Sequence, residues 1–327
     1  MKTIAVIGSI NMDLSASAER IPRPGETILA SSLIYLPGGK GANQAVAAAR
    51  LGAKVTFFGC VGNDAFGPGM VRNIASEGIV TDEIEILPGT PSGLAMITVA
   101  EGDNAITVVP GANACVTKDY IDRHFARILE NDILLIVAEI PHETVEYLIR
   151  KVRTEEAALA AQTASSAGAA SDAAAASGPR CIIFNPAPAY PLGEDLIRLV
   201  DYLTPNEHEA RIVLSDEVTP AEDLVRRFQG RLIITCGSRG VLCCTEDDQA
   251  GGSLQVRQIP SFPVEVVDTT GAGDTFNGAL AYALASDLPF TDSLRFANAA
   301  AAFSCTKKGA QSGMPTLDMV ERLLLDT

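Results

Sequence analysis

The sequence predicts an α/β fold in which a mostly parallel sheet is flanked by helices on both faces. Short β-rich runs alternate with helical patterns along most of the 327 residues, and this alternation is typical of parallel sheets assembled from strand–helix–strand units. A hydrophobic fraction of 47% and a charged fraction of 20% suit a globular chain with a sizeable core. Because α/β folds of this length are common as one domain, we expect residues 1–327 to form a single domain.

The individual elements follow from their residue patterns. Short apolar runs rich in β-branched residues predict strands at Thr3–Gly8, Lys54–Cys60, Ile133–Ala138, Arg180–Phe184, Tyr202–Thr204, Arg231–Thr235 and Val241–Thr245. Apolar residues at helical spacing predict helices at Ala42–Leu51, Gly67–Ser76, Lys118–Leu129, Val145–Arg153, Glu207–Leu214, Glu222–Phe228, Gly273–Ala285 and Asp292–Lys307. Such sheets bind ligands at the carboxyl ends of their strands.

Two β-rich segments break this alternation because no helix follows them. They are Glu26–Leu36 and Gly93–Val109, and the second is predicted to turn as a hairpin at Glu101-Gly102-Asp103-Asn104. A sheet without covering helices must bury its apolar side over a ligand or against another subunit. We therefore expect a small β lid, at about residues 12–36 and 93–109, that also forms a homodimer surface.

Residues 154–178 form a low-complexity insertion rich in alanine. Alanine favours helices, so the first part is expected to extend the preceding helix. The remainder contains serine and glycine and lacks large apolar residues that would anchor it. We interpret it as a solvated insertion, with a partner-binding segment as the alternative.

Composition narrows the classes of partner and compartment. The net charge of −15 argues against nucleic acid or an anionic membrane as a partner, and no apolar run reaches the roughly 20 residues of a membrane span. Residues 1–8 lack a signal-peptide pattern, which favours the cytoplasm. The seven cysteines have no C-x-x-C spacing and are expected to be reduced thiols, and the three histidines lack metal-ligand spacing.

The segment Asp268–Asp274, D-T-T-G-A-G-D, is the strongest indication of chemistry. It lies between a β-like run (Val264, Val266, Val267) and a helical pattern. A glycine-rich turn that opens a helix leaves backbone N–H groups unpaired at the positive end of the helix dipole, which forms an anion hole. An adjacent aspartate can take a proton from a hydroxyl, so the segment predicts phosphoryl transfer. A structural glycine turn with a capping aspartate is the alternative.

Two upstream segments could bind hydroxyl groups. Gly38–Gln44, G-G-K-G-A-N-Q, is another glycine turn that opens a helix, and Asn43 lies on its first turn. Gly8–Asp13 follows the first strand, and Asn11 and Asp13 share a face there, as a carboxylate and an amide suited to a vicinal diol. A plain turn and a solvated loop remain the alternatives.

Two further segments could serve a nucleotide. In Thr204–Glu209, Asn206 and Glu209 share a face at a helix start, where their oxygens could hold Mg²⁺ through its waters or form a capping box. Thr235–Gly240, T-C-G-S-R-G, follows an apolar strand and could wrap a nucleotide or form a tight turn.

Together and in this order, the segments resemble the ribokinase (PfkB-type) carbohydrate kinase family. The resemblance runs from Ile4 to about Pro315, and its most specific motifs are G-G-K-G-A-N-Q-A, N-P-A-P, T-P-N-E and D-T-T-G-A-G-D-T-F-N-G, with K-G-A-Q from Lys308. It implies a Rossmann-like sheet with a β-sheet lid that often pairs with a second subunit. The implied reaction is ATP-dependent phosphorylation of D-ribose at its primary hydroxyl to give D-ribose 5-phosphate.

The resemblance also implies roles for individual residues. Asp274 would be the general base, beside an anion hole formed by Gly271, Ala272 and Gly273. The sugar would be bound by Asn11, Asp13, Gly39, Lys40, Asn43 and Glu139, together with Asp274. Mg²⁺ and the phosphates would be organised by Asn206 and Glu209, and ATP would lie against Thr235, Gly237, Gly240, Gly273 and Asn298.

A monovalent cation, usually K⁺, is a further implication of the resemblance. It would lie behind the anion hole, bound by Asp268, by backbone oxygens of Thr270, Ser304, Lys307 and Gly309, and by a group near Gly313.

Two alternative functions stay open from the sequence. One is a kinase of the same family for 2-deoxyribose, fructose or a nucleoside, although Asn11, Asp13 and residues 38–44 favour a small polyhydroxylated furanose. The other is a non-catalytic sugar sensor, against which Asp274 argues because a sensor does not need a base.

Overall fold

The computed structural model describes residues 1–100, 103–166, 179–247 and 253–325. The strands are β1 Thr3–Ile7, β2 Asn11–Ala18, β3 Ala30–Gly38, β4 Lys54–Gly62, β5 Ile84–Leu87, β6 Gly93–Ala100, β7 Asp103–Val109, β8 Ile133–Val137, β9 Cys181–Asn185, β10 Tyr202–Leu203, β11 Ile234–Thr235, β12 Val241–Asp247 and β13 Ser253–Ile259. The helices are α1 Lys40–Arg50, α2 Gly67–Ser76, α3 Lys118–Ile128, α4 His142–Ser166, α5 Glu194–Ile197, α6 Glu207–Leu214, α7 Ala221–Arg227, α8 Ala272–Ala285, α9 Phe290–Ser304, α10 Ala310–Gly313 and α11 Leu317–Leu325.

The main sheet has the strand order β10-β9-β8-β1-β4-β5, and all of its neighbouring strands are parallel. Side chains of the central strand β1 alternate between two cores, as the twofold repeat of a strand requires. Ile4 and Val6 pack in one core with residues of α1, α8 and α9, whereas Ala5 and Ile7 pack in the other with residues of α3 and α4. Helices therefore cover both faces, as the sequence predicted.

A second sheet has the order β3-β2-β6-β7, and most residues of its outer strands β3 and β7 are exposed. Strand β2 pairs antiparallel with β3 and parallel with β6, and β6 pairs antiparallel with β7. The predicted hairpin strands are thus confirmed, while turn residues 101–102 lie outside the described residues. The prediction of strand from Glu26 was wrong, because β3 begins at Ala30 and residues 26–29 pair with no strand of the described chain.

Two smaller corrections concern the region before the anion-hole segment. The predicted strand Arg231–Thr235 is shortened to Ile234–Thr235, which joins β12 and β13 in a third sheet. The valines at 264, 266 and 267 form no strand, so the predicted β-like run was wrong. The reason is that the N–H groups of Val267 and Asp268 donate to the Cys305 carbonyl, past the end of α9, rather than to a neighbouring strand.

Helix α4 continues to Ser166, which confirms that the first part of the alanine-rich insertion extends the preceding helix. The remainder, residues 167–178, lies outside the described residues. Within the described ranges, no helix combines the length and apolarity needed to cross a bilayer. The seven cysteines are free thiols in the structure, and five of them are buried.

Candidate active site

The two glycine turns that open α1 and α8 meet beyond the carboxyl end of β1. Their helices approach closely because Gly278 has no side chain: a Cβ there would lie 2.5 Å from the Gln44 carbonyl oxygen. This packing brings the first turn of α1 against the first turn of α8. Segments that are more than 220 residues apart in the chain therefore form one site.

Asp274 lies at the centre of this contact and is only 7% exposed. Its Oδ2 accepts a hydrogen bond of 2.9 Å from Asn43 Nδ2, and its Oδ1 accepts one of 3.1 Å from Gln44 Nε2. The carboxylate is also in the first turn of α8, where the helix dipole favours negative charge. Two amides thus hold the Asp274 carboxyl group in a fixed orientation at the start of α8.

The anion-hole turn has the expected shape. Gly271 caps α8 with φ 78°, and a Cβ on it would lie 2.8 Å from Ala310 Cβ, so only glycine fits without a shift. Within the described part of the chain, the N–H groups of Gly271, Gly273 and Asp274 have no acceptor, whereas Ala272 N–H donates to Thr269 at 3.2 Å. The turn therefore offers unpaired amides on either side of Ala272.

The expected sugar residues gather on one side of Asp274. Asn11 is 2% exposed, and its Oδ1 accepts a 2.7 Å hydrogen bond from Asn113. Glu139 Oε2 accepts from Ser9 Oγ at 2.5 Å and from the Lys40 backbone N–H at 3.0 Å. Because these groups are already oriented by protein partners, they present a prearranged set of donors and acceptors.

Gly39 allows this side of the site to close. Its φ is 90°, and a Cβ there would lie 2.7 Å from the Asn11 backbone nitrogen. Glycine at this position therefore lets residues 38–41 pack directly on residues 9–11.

Charge is concentrated on the same side. Burial, followed by repulsion from Glu139 and Asp274, raises the pKa of Asp13 to about 7. Attraction to Asp274 above all, with further contributions from Glu139, raises the pKa of Lys40 although burial opposes it. Burial likewise raises the pKa of Glu209. The partly buried ammonium of Lys40 thus faces several carboxyl groups, which keeps it protonated.

A cavity of about 550 Å³ opens on the other side of the anion-hole turn. Its size is that of a typical small-molecule site. It is lined by the whole expected ATP set except Asn206 and Glu209, namely Thr235, Gly237, Gly240, Gly273 and Asn298. The walls are largely apolar and include Phe262, Val264, Val266 and Phe276.

Asn298 shapes this cavity from α9. It is 4% exposed, and its Nδ2 donates to the carbonyl oxygens of Ile259 at 3.0 Å and Pro260 at 3.1 Å. Those bonds tie the end of β13 to α9. Asn298 therefore joins two elements of the fold, and it also lies next to any ligand that occupies the cavity.

Asn206 and Glu209 form a reciprocal capping box on α6. Asn206 Oδ1 accepts from Glu209 N–H, and Glu209 Oε2 accepts from Asn206 N–H, both at 2.8 Å. The capping-box interpretation is confirmed. Glu209 nevertheless lies close enough to Lys40 and Asp274 to interact with both charges.

The residues expected around a monovalent cation lie together behind the turn. Asp268 accepts hydrogen bonds from Thr270 N–H and Oγ and from Gly309 N–H, and these outweigh burial to hold its pKa below the ordinary value. A Cβ on Gly313 would lie 2.4 Å from the Ser304 carbonyl oxygen. Lys307 is exposed in the link from α9 to α10.

Several partners of the site residues were not predicted from the sequence. Gln44 is fully buried and bridges Asp274 to Asn185, the first residue of the N-P-A-P motif. Gln311, in the K-G-A-Q motif, donates to Asn43. The available signal for Gln44 was its position directly before the apolar run Ala45–Ala49 of α1, because a buried amide needs partners.

Comparison with known proteins identifies the family. A profile of pfkB family carbohydrate kinases matches residues 1–317. The chain is 45% identical over 324 residues to the ribokinase of Bacillus subtilis (strain 168), and the match covers 99% of this chain and 100% of that relative. The chain belongs to the pfkB family of carbohydrate kinases.

Solved structures agree with this assignment. The ribokinase of Thermotoga maritima matches with a TM-score of 0.83 and 34% identity, covering 99% of this chain and 100% of that one. The Arabidopsis thaliana ribokinase complexed with ribose and ATP matches with a TM-score of 0.77 and 28% identity, covering 99% and 98%. The predicted fold and family are both confirmed.

Proposed function

We propose that this protein is an ATP-dependent kinase that phosphorylates D-ribose at its primary hydroxyl to give D-ribose 5-phosphate. The observation that carries the proposal is the position of Asp274. Its carboxylate lies between the amides of Asn43 and Gln44, at the mouth of a turn that also borders the 550 Å³ cavity. The full-length similarity to a ribokinase supports D-ribose as the acceptor.

In this mechanism Asp274 accepts the proton of the primary hydroxyl as the oxygen attacks the γ-phosphorus of ATP. The bond from phosphorus to the bridging oxygen breaks, and ADP leaves with that electron pair. The unpaired N–H groups of Gly271 and Gly273 stabilise negative charge on the transferring phosphoryl group. Phosphoryl transfer needs little other covalent chemistry from a protein, so positioning supplies most of the catalysis.

The sugar hydroxyls would be bound by the prearranged polar side of the site. Asn11, Asp13, Asn43 and Glu139 provide two amides and two carboxyl groups, and Gly39 lets the sugar approach the backbone. Lys40 would lie near the phosphates, where its ammonium charge opposes theirs. A furanose with several hydroxyls satisfies more of these groups than an apolar ligand would.

The nucleotide would occupy the apolar cavity, with Thr235, Gly237, Gly240 and Asn298 around it and Gly273 next to its phosphates. Mg²⁺ bound with ATP neutralises the β- and γ-phosphates. No three His, Cys, Asp or Glu side chains converge on a metal position in the described chain. That fits Mg²⁺ held mainly by phosphates and water, with Asn206 and Glu209 orienting the water through the groups that the capping box leaves free.

A monovalent cation such as K⁺ fits the residues behind the turn. One carboxylate, Asp268, accompanies carbonyl groups at the carboxyl end of α9, where the helix dipole favours a cation. We propose oxygen ligands from Thr270, Ser304, Lys307, Gly309 and a backbone group near Gly313. A cation there would add positive field beneath the anion hole.

The second sheet is proposed as a lid over the sugar and as a homodimer surface. On β3, Leu33 and Tyr35 are 51% and 54% exposed on one face, and Ile34 is 43% exposed on the other. One apolar face can cover the sugar and exclude water, and the other can bury itself against a second copy. Light scattering should give a dimer for the wild type and a monomer for Leu33→Glu/Ile34→Glu. The control Val218→Glu, which changes an exposed valine outside this sheet, should stay dimeric, and a monomeric wild type would overturn the proposal.

The cytoplasm is the proposed compartment. ATP is the phosphate donor, and seven free thiols suit a reducing environment.

A coupled ATP-turnover assay tests the substrate and the cation together. D-ribose, 2-deoxyribose, fructose and adenosine are compared with and without K⁺. We expect turnover to be fastest with D-ribose and to increase with K⁺. Turnover of adenosine but not ribose would overturn the substrate, and binding of ribose without turnover would favour a sensor. Activity indifferent to monovalent cations would remove the site at Asp268.

A further inference from the structure

We infer that Gln311 is a positioning residue that sets the orientation of the Asn43 amide and, through it, of the proposed base. Gln311 lies on α10 and is 9% exposed. Its Nε2 donates to Asn43 Oδ1 at 3.1 Å, and Asn43 Nδ2 donates to Asp274 Oδ2 at 2.9 Å. The inference rests on the proposed function, because it assigns Gln311 a part in the same site.

The direction of these hydrogen bonds is set from the carboxylate outward. An ionised carboxylate only accepts, whereas each amide has one end that donates and one that accepts. Asn43 must therefore turn its NH₂ group towards Asp274, which leaves its Oδ1 for a donor. Gln311 supplies that donor, and its own Oε1 accepts from Asn73 Nδ2 at 3.1 Å. The side-chain amides of Asn73, Gln311 and Asn43 therefore form a chain of hydrogen bonds in which each NH₂ group donates towards Asp274.

Burial makes this orientation consequential. Asn43 and Asp274 are 6% and 7% exposed, so water cannot readily replace a lost partner. A flipped Asn43 would set its Oδ1 against Asp274 Oδ2, and two acceptors would face each other without a hydrogen. The link to Gln311 makes the flipped state costly, because the NH₂ groups of both amides would then oppose each other.

The backbone of Gln311 is held independently of its side chain. The Arg50 guanidinium donates to the carbonyl oxygens of Gln311 and Met314, and it forms an ion pair of 2.6 Å with Glu77 on the other side. Replacing only the side chain should therefore leave α10 in place. Such variants test the orientation of Asn43 rather than the fold.

Two substitutions at Gln311 test separately whether the hydrogen bond to Asn43 is needed and whether its direction matters. Gln311→Met keeps the length and removes the donor, and Gln311→Glu offers acceptors only. Loss of one buried hydrogen bond should lower kcat/KM for D-ribose about tenfold in Gln311→Met. Gln311→Glu should lower it further, by about a hundredfold, because Asn43 is drawn into the flipped state. The control Asp318→Asn, at an exposed position on the neighbouring helix α11, should match the wild type.

The Gln311 substitutions should weaken the binding of D-ribose and leave the binding of nucleotide nearly unchanged. Calorimetry should show weaker D-ribose binding in both Gln311 variants, with ADP binding within about twofold of the wild type, because Gln311 does not line the nucleotide cavity. Asn73→Asp tests the orientation of the same hydrogen-bond chain at its first residue, because it replaces the donor to Gln311 with an acceptor. It should impair ribose binding more than Asn73→Ala does.

Clear outcomes would overturn the inference. They are a Gln311→Met enzyme with wild-type kcat/KM for ribose, an equal loss of ADP affinity, or a Gln311→Glu enzyme no worse than Gln311→Met. If the wild type itself does not turn over any sugar, the proposed function fails. The binding measurements still decide the role of Gln311 in that case.

Discussion

The proposed sugar side and the proposed nucleotide side of the candidate site are built differently. On the sugar side, buried polar groups are paired with other polar side chains, as Asn11 is with Asn113 and Glu139 is with Ser9. On the nucleotide side, the cavity wall is mainly apolar and backbone, with Phe262 and Phe276 among its residues. Gly273 lies between the two sides, because it lines the cavity and directly precedes Asp274.

Under the proposed function, the difference follows from the ligand that each side would recognise. Hydroxyl groups are distinguished by hydrogen bonds whose direction matters, and a buried group left unpaired costs about 1–3 kcal/mol. A planar base can be held by contact area, which tolerates small displacements. Substitutions on the sugar side should therefore have larger and more selective effects than substitutions around the cavity. Four variants test this contrast.

Asp274→Asn should have the largest effect. It keeps the shape of the side chain and removes the base, so kcat should fall by about 10²–10⁴-fold. Ribose should still bind, as calorimetry would measure. The control Asp318→Asn changes an exposed aspartate on α11 and should behave as the wild type. Near-normal turnover in Asp274→Asn would remove its assignment as the base.

Gly271→Ala tests the border between the sides. A Cβ at φ 78° would be strained and would press on Ala310, so the anion-hole amides should shift and kcat should fall about a hundredfold. Gly78→Ala is a matched control, because Gly78 has φ 80° and, among the described residues, no atom lies within 4 Å of the added Cβ. Both variants should lose about 1–2 kcal/mol of stability. Equal kcat values in the two variants would contradict the role of the turn.

Asp13→Asn tests the sugar side through pH. The folded-state pKa of Asp13 is about 7, against an ordinary value of 3.8. The folded protein therefore retains a proton that the unfolded chain has lost, and the wild type should lose stability as pH rises from about 4 to about 7. Asn at this position should remove on the order of 2 kcal/mol of that loss, which urea unfolding at pH 5 and pH 8 would measure.

The same variant should weaken ribose binding by about tenfold or more, because a hydroxyl loses a carboxylate acceptor. Increased stability at pH 8 together with unchanged ribose affinity would separate burial of Asp13 from a role in binding.

Asn298→Ala should have the smallest effect. It removes two hydrogen bonds to backbone carbonyls at the cavity wall, and KM for ATP should rise about three- to tenfold. KM for ribose should stay unchanged in the same assay. A change in ribose KM as large as the change in ATP KM would show that the two sides are not independent.

The segments of the candidate site were predictable because each one is local. Glycine turns that open helices are visible in a run of seven residues, at 38–44 and at 268–274. The structure brings Asn43 and Asp274 into contact, as a shared site requires. For Asn206 and Glu209 the sequence left two interpretations, a capping box and a site for metal-bound water, because both use the same residue pattern.

Other features depend on partners that no local pattern specifies. The valines at 264, 266 and 267 have high strand propensity, but the N–H groups of Val267 and Asp268 donate to the Cys305 carbonyl instead. The side chains of Val264 and Val266 line the cavity. Strand β2 reads N-M-D-L-S-A-S-A, a weak strand sequence, and it forms because β3 and β6 pair with it on both edges. Tertiary pairing overrides propensity in both places.

The sequence by itself determined the alternation of strands and helices, the two glycine turns and the position of Asp274 beside the second turn, because these features depend on neighbours within a few residues. The tertiary structure decided which end of the Asn43 side-chain amide faces Asp274. Gln311 and Asn43 are 268 positions apart and meet only when α10 packs beside α1. It also decided the pKa of Asp13, because burial and the charges of Glu139 and Asp274 act through space.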